Sequence, residues 1–229
     1  MYLEINPLKC LIFQKTKILV SFFTINAYKP IIIKNVFCRG YLKLKTIIVY
    51  GTTFGATKGT SEEIARILRE QNLDVKVVNA QDEKVQDISD YELIIVGSSL
   101  ANCRWNKEAE DFLKKFHKEL RNKKLALFVS SVNPIAEREG NTEEIAKLRK
   151  IALEDKISKY GLSPIAMGIF GGILNYNKMG FIARKSMEIA FKSRLQSNGF
   201  REVEPGVYDL RDWKAIRNWT QELVRVSSL

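Results

Sequence analysis

Residues 45–69 read KTIIVYGTTFGATKGTSEEIARILR. Thr46 to Tyr50 is a short apolar, β-branched run, the mark of a strand buried on both faces. Gly51-Thr52-Thr53-Phe54-Gly55-Ala56-Thr57 follows, a loop dense in small and hydroxyl residues. From Ser61 to Leu68 the spacing turns helical. Ile64, Ile67 and Leu68 share a face, and Glu62 and Glu63 fall near the expected N-terminus, where anions are favoured. Strand, hydroxyl-rich loop and helix are the parts from which α/β proteins build a phosphate site. Backbone N–H groups of the loop and helix start face the anion, and threonine hydroxyls add donors. Neither G-x-G-x-x-G nor G-x-x-x-x-G-K-[ST] is present. One central glycine among hydroxyls suits a terminal phosphomonoester better than a pyrophosphate. The plainer alternative is a tight strand-to-helix turn with ordinary capping threonines.

The pattern repeats downstream. Val75-Lys76-Val77-Val78 alternates as a second strand, and Leu93 to Val96 is a third, apolar enough to be buried on both faces. The third ends in another small-residue loop, Gly97 to Trp105, before a helix with Ala109, Phe112, Leu113 and Phe116 on one side. Leu125 to Val129 is the fourth strand and runs into Ser130-Ser131-Val132-Asn133-Pro134. A helix from about Thr142 is expected to bury Ile145, Leu148, Ile151 and Ala152, and Pro164 to Phe170 is the fifth strand. The last helix starts around Asp212 and carries Trp213, Ile216, Trp219, Leu223 and Val224 at spacings of three and four. Strands alternating with helices imply an α/β fold with a parallel, doubly wound sheet, because each right-handed crossover lays a helix on a face. Ligands of such sheets bind beyond the carboxyl ends of the strands. The loops after strands one, three and four all lie there, and all three are rich in small residues. That coincidence predicts a cofactor site.

Between the fifth strand and the last helix, Gly171 to Arg211 is far longer than a typical connection. It opens with GGILNYNKMG and continues as a helix-like segment. Phe181, Ile182, Ile189, Ala190 and Phe191 are its apolar side, against Arg184, Lys185, Lys192 and Arg194. Amphipathic and basic, it suits a membrane surface or a cover for a cleft; an extra helix docked on the sheet through that apolar side is the simpler reading.

The net charge of +11 is concentrated at the start of the chain. Lys9, Lys15, Lys17, Lys29, Lys34, Arg39 and Lys43 stand against Glu4 alone before Lys45. The rest is moderately basic, which suits an acidic partner or an anionic membrane face and is no sign of nucleic-acid binding. The apolar runs at Ile18 to Tyr28 and Pro30 to Ile33 are too short to span a bilayer. Residues 1–44 are expected to be a dispensable extension from an upstream start codon, with a signal peptide as the alternative, and the domain proper to occupy 45–229. Cys10, Cys38 and Cys103 form no C-x-x-C and are odd in number, which argues against a disulfide framework and for a reducing compartment. His117 is the only histidine, so neither a histidine metal site nor a histidine-based triad is expected.

Thr52, Gly55 and Thr57 fall on the T/S-x-T-G-x-T phosphate loop of flavodoxins, with Phe54 where a flavodoxin usually has Thr. GTTFGAT, VSSVNPIAEREGNT, GGILNYNKMGF and VYDLRDWKAIRNW together resemble the flavodoxin-domain family of menaquinone-dependent protoporphyrinogen dehydrogenase, over about Lys45 to Leu223. The resemblance implies a flavodoxin-like, five-stranded sheet of order 2-1-3-4-5 with an insertion between strand five and the last helix. It implies non-covalent FMN as cofactor, with Thr52, Thr53, Phe54, Gly55, Ala56 and Thr57 at its phosphate. Ser99, Leu100, Ala101 and Asn102, with Ser131, Val132 and Asn133, would hold the ring. Trp105 is either a stacking partner of that ring or an aromatic packing the next helix. Thr60 is a further candidate for the phosphate, because Lys58-Gly59-Thr60 lengthens the approach to the first helix. The expected function is an FMN-dependent oxidoreductase taking electrons from a porphyrinogen to a quinone. It is expected to be cytoplasmic, with peripheral membrane contact through 173–194. A flavodoxin-type electron-transfer protein docking to a redox partner, and an α/β binding module without flavin, are the alternatives.

Overall fold

The computed structural model describes residues 44–227, so the expected extension lies outside the described residues except for Leu44. The chain runs through β1 (Lys45–Gly51), α1 (Ala56–Glu70), β2 (Asp74–Asn79), β3 (Leu93–Ala101), β4 (Arg104–Trp105), α2 (Lys107–Leu120) and β5 (Lys124–Ser131). It continues through α3 (Asn133–Arg138), α4 (Thr142–Arg149), a π-helical turn (Lys150–Glu154), α5 (Asp155–Tyr160) and β6 (Ala166–Gly171). The insertion supplies β7 (Ile173–Asn175), α6 (Phe181–Ser197) and β8 (Val207–Asp209), and α7 (Trp213–Ser227) closes the domain.

The main sheet has the parallel order β2-β1-β3-β5-β6, the expected 2-1-3-4-5. Its register aligns Val49 with both Val78 and Val96, Val96 with Leu127, and Val129 with Ile169. Successive side chains alternate between the faces. Ile47, Val49, Ile94, Val96, Leu125 and Leu127 point toward α2 and the α4–α5 segment. Ile48, Ile95, Ala126 and Phe128 point toward α1 and α7, meeting Ile64, Leu68, Ile216 and Leu223. Both faces are dry, which is why these strands read as unbroken apolar runs.

Four features depart from the expectation. Helix α1 starts at Ala56, five residues before Ser61, so Lys58-Gly59-Thr60 is part of its first turns rather than a longer approach. Glu62 and Glu63 therefore stand in the second turn. Strand β3 continues through Ser99 and Ala101 and folds back on β4 in a tight antiparallel hairpin instead of forming a loop. Asn102 and Cys103 at its tip both adopt positive φ, 50° and 58°, the conformation of a two-residue hairpin turn that follows the sheet's twist. The helix expected from Thr142 is interrupted by the π turn. That turn rotates the chain so that Ala152 and Leu153 are buried, while Ile145, Leu148 and Ile151 are only half-buried.

The fourth departure is the insertion. Strands β7 and β8 pair antiparallel, and Leu174, Tyr176, Leu195, Tyr208 and Leu210 build a small core with Ile135 of α3. Helix α6 packs on this cluster through Met179 just before it, and through Met187, Phe191 and Leu195, rather than on the sheet. Phe181, Ile182 and Ile189, expected on its docking side, are 76%, 82% and 84% exposed. Two apolar stripes compete for this helix, and the one at four-residue intervals meets the cluster.

Helices α1 and α7 are tied by Glu63, which accepts from Arg66 at 2.9 Å and from Arg217 at 2.7 Å. The Arg66 hydrogen bonds chiefly, and Arg217 after them, hold the Glu63 carboxyl down to about 2 from its ordinary 4.5. A depressed carboxyl stabilises the fold above its unfolded value and ceases to do so as pH falls toward the folded one. Glu63→Gln should therefore lower stability at neutral pH by a few tenths to about 1 kcal/mol, because the arginine partners are half-exposed. Urea titrations at pH 7, 4.5 and 2 should show the difference from the parent chain shrinking across the lower two.

Candidate functional site

A tight turn at the carboxyl end of β1 begins the site. The Gly55 N–H donates to Thr52 Oγ1 at 3.0 Å, and Gly55 itself takes φ +90°, a conformation that suits glycine. This turn aims the chain directly into α1, which starts without a side-chain cap. The N–H groups of Ala56, Thr57 and Lys58 have no acceptor within the helix. The hydroxyl of Thr57 in the same turn, and those of Thr60 and Ser61 one turn further along, are fully buried and have no partner among the described residues. A polar atom buried without a partner is costly, so a cluster of donors around an uncapped helix start fits an anion with several acceptor oxygens.

A second wall comes from the β3–β4 hairpin. Thr53 Oγ1 and Ser99 Oγ lie 2.9 Å apart and join it to the first turn. Ser98 is buried beneath; its hydroxyl accepts from the Asn106 N–H at 2.9 Å and so anchors the start of α2. The third wall is the end of β5, where Ser131 Oγ accepts from the Asn133 N–H at 3.1 Å and the Ser131 carbonyl accepts from Gly172 at 2.7 Å. Ser130 Oγ is buried and unpaired on the same wall.

Between the walls lies a cleft of about 320 Å³, near the lower end of the roughly 300–1,000 Å³ usual for a small-molecule site. Thr52, Thr53, Phe54, Ala56, Ser99, Leu100, Ala101, Asn102, Ser131 and Val132 all line it. Gly55 and Thr57 are not in its wall but shape the helix start that closes one end. Its roof is the segment that the sequence suggested as a cover for a cleft, through Met179, Ala183, Met187 and Phe191, of which only Phe191 was expected on the covering side, with Leu148 added from α4. Their regular spacing of four was the available signal, masked by the more apolar Phe181, Ile182 and Ile189. Cys103 is the one ionisable side chain of the lining. The cleft offers donors at one end and a largely apolar lining, and among the described residues no carboxylate, imidazole or amine lines it. That fits a cofactor with a phosphate ester on a planar ring.

Two expected residues lie elsewhere. Trp105 is 5% exposed and packs in the core between sheet and α2. Its Nε1–H donates to the Ala152 carbonyl at 2.6 Å, inside the π turn, where the widened helix leaves a carbonyl to accept it. It packs beside the start of α2 and does not line the cleft. The side chain of Asn133 starts α3 and turns to Glu137. Trp105→Phe should lower stability by about 1–3 kcal/mol, by leaving that carbonyl unmet, while ligand affinity of the cleft stays within twofold. Denaturant unfolding and a ligand titration on the same preparation separate the two effects.

A family profile described as flavodoxin domain matches residues 47–198. The chain is 26% identical over 180 residues to protoporphyrinogen IX dehydrogenase [quinone] of Leishmania major, covering 78% of this chain and 74% of that protein. It is 22% identical over 186 residues to the Escherichia coli protein of the same name, covering 80% and 97%. Among solved structures, a short-chain flavodoxin associated with a bacterial microcompartment is 14% identical with a TM-score of 0.47, covering 80% of this chain and 99% of that one. A Fusobacterium nucleatum flavodoxin bound to flavin mononucleotide is 16% identical with a TM-score of 0.44, covering 79% and 97%. With its profile match spanning most of the described domain, this chain belongs to the flavodoxin-domain family.

Proposed function

We propose that this protein binds FMN in the cleft and uses it to oxidise a porphyrinogen-type donor, delivering the electrons to a quinone. The observation that carries the reading is the junction of an uncapped, hydroxyl-lined helix start with an apolar slot roofed by α6. Bound FMN supplies the redox chemistry, accepting electrons from the donor and passing them on. The residues bind and orient it. The start of α1 and Thr57 hold the phosphate, the Ser99–Asn102 strand end and Ser131–Val132 flank the ring, and Met187 and Phe191 exclude water from its face. An apolar roof suits a large apolar donor and a quinone better than a purely protein partner.

The relatives named protoporphyrinogen IX dehydrogenase [quinone] support this choice of substrates. The same insertion presents a membrane-facing side. Ile182 and Ile189 lie on one exposed stripe of α6 with Lys185 between them and Lys192 beyond. An apolar ridge flanked by lysines suits the surface of an anionic bilayer. Among the described residues no helix is long and apolar enough to cross a membrane.

The first measurement is the visible spectrum of the purified full chain and the flavin released on denaturation, expected to be FMN at about one per chain. Turnover of protoporphyrinogen with a menaquinone analogue should then fall at least about tenfold in Met187→Asp while FMN stays bound, because a charge on the roof is costly to desolvate. Full retention of turnover in that variant, or none in the parent chain, favours the electron-carrier alternative. Ile182→Glu with Ile189→Glu should abolish sedimentation with vesicles containing anionic lipid and leave FMN content unchanged.

A further inference from the structure

We propose that Arg211 is the counter-charge for the phosphate of the flavin, so that the pocket selects FMN over riboflavin. The inference rests on the FMN reading above and adds a residue from the far side of the insertion to the cofactor site.

Arg211 lies between β8 and α7, with its side chain 14% exposed. Its Nε and Nη2 donate to the two oxygens of Asp209 at 2.9 and 2.5 Å. The guanidinium lies over the Trp213 ring, 4.4 Å from its centroid. This bidentate pair and the ring beneath fix the plane of the group and leave Nη1 with no acceptor among the described residues. Nη1 is the nitrogen turned toward α1: a Cβ built on Gly59 would stand 2.5 Å from it. A glycine inside a helix is less favourable than alanine. Here its lack of a side chain lets the guanidinium close on the first turn.

That position is electrostatically peculiar. Through Gly59, the fourth residue of α1, Arg211 stands against the first turn of that uncapped helix, and it lies immediately ahead of Asp212, which caps α7 by accepting from the Ala215 N–H at 3.0 Å. Helix N-termini carry partial positive charge, so a mostly buried cation beside two of them is repelled unless an anion joins. Asp209 is engaged by the other edge of the fork. The Asp212 carboxylate is taken up as the α7 cap, and the hydroxyls of Thr57, Thr60 and Ser61 in the first turns of α1 are buried and unpartnered. A phosphate monoester, with about two negative charges and three acceptor oxygens, supplies what all of these groups lack. Arginine is suited to it because its donors are planar and permanently charged. Asp209 then acts as a positioning residue, holding the guanidinium so that Nη1 faces the helix start.

The test compares FMN with riboflavin, which shares the ring and ribityl chain and lacks the phosphate. Dissociation constants of both are measured by flavin fluorescence on the full-length parent, Arg211→Gln and Arg211→Lys, at low and high salt. Arg211→Gln should weaken FMN by about tenfold to a hundredfold, the range for loss of a charged hydrogen bond. Riboflavin affinity should stay within twofold. Arg211→Lys should recover part of the loss, and salt should weaken FMN binding more in the parent than in Arg211→Gln. Equal losses for both flavins, or an unchanged FMN affinity, overturn the assignment. Should Arg211→Gln fail to fold, the parent alone decides, since an FMN preference insensitive to salt also overturns it. A parent chain that binds neither flavin overturns the FMN reading itself.

Discussion

Everything in this domain depends on a parallel sheet that must be covered on both faces. Ile47 and Ile48, adjacent in β1, belong to opposite cores, and neither is exposed by more than 1%. A strand dry on both sides needs a helix on each, and each crossover returns the chain to the same edge of the sheet. All the carboxyl-end turns are therefore gathered on one side of the molecule, with their backbone donors pointing outward. The candidate site is a consequence of that geometry before any particular side chain is considered.

On this edge polar groups are left unpaired rather than satisfied internally. The glycine turn at Gly55 delivers the chain into α1 with no cap, although Thr52 and Thr53 are close by. Thr52 is occupied in holding the turn and Thr53 in contacting Ser99. A scaffold optimised only for stability would cap such a helix. Stability is given up here in the form of unmet donors, the usual sign that a ligand completes the structure.

The insertion contributes a separate small core, and through it a roof. Its anchorage is asymmetric. Near the C-terminal end of α6, Arg194 pairs with Glu139 and Glu144, and Arg138 stacks on Phe200 at 3.7 Å. The N-terminal end carries exposed Phe181 and Ile182. One helix thus presents an apolar stripe to the cleft and a second to the surroundings.

The sequence by itself determined the strands and the small-residue segments at the carboxyl ends of three of them, while the strand order came only with its resemblance to the flavodoxin-domain family. Unbroken β-branched runs have no stable place except a doubly covered sheet, and hydroxyl-rich turns at their ends follow from local chain geometry. Most residues expected at the cleft line it for the same reason: Thr52, Ser99 and Ser131 each sit at the end of a strand whose direction is fixed. Only the tertiary structure decided matters that depend on distant partners. Trp105 is in the core because the π turn some 47 residues later offers it the Ala152 carbonyl. Asn133 leaves the cleft because α3 begins there and Glu137 takes up its amide. Helix α6 turns Met187 and Phe191 inward, and not Ile189, because the cluster built from β7, β8 and α3 meets only that stripe. Hydropathy alone ranks the other stripe higher. Which face of a two-striped helix is buried depends on the surface brought against it, and that surface exists only once the chain has folded.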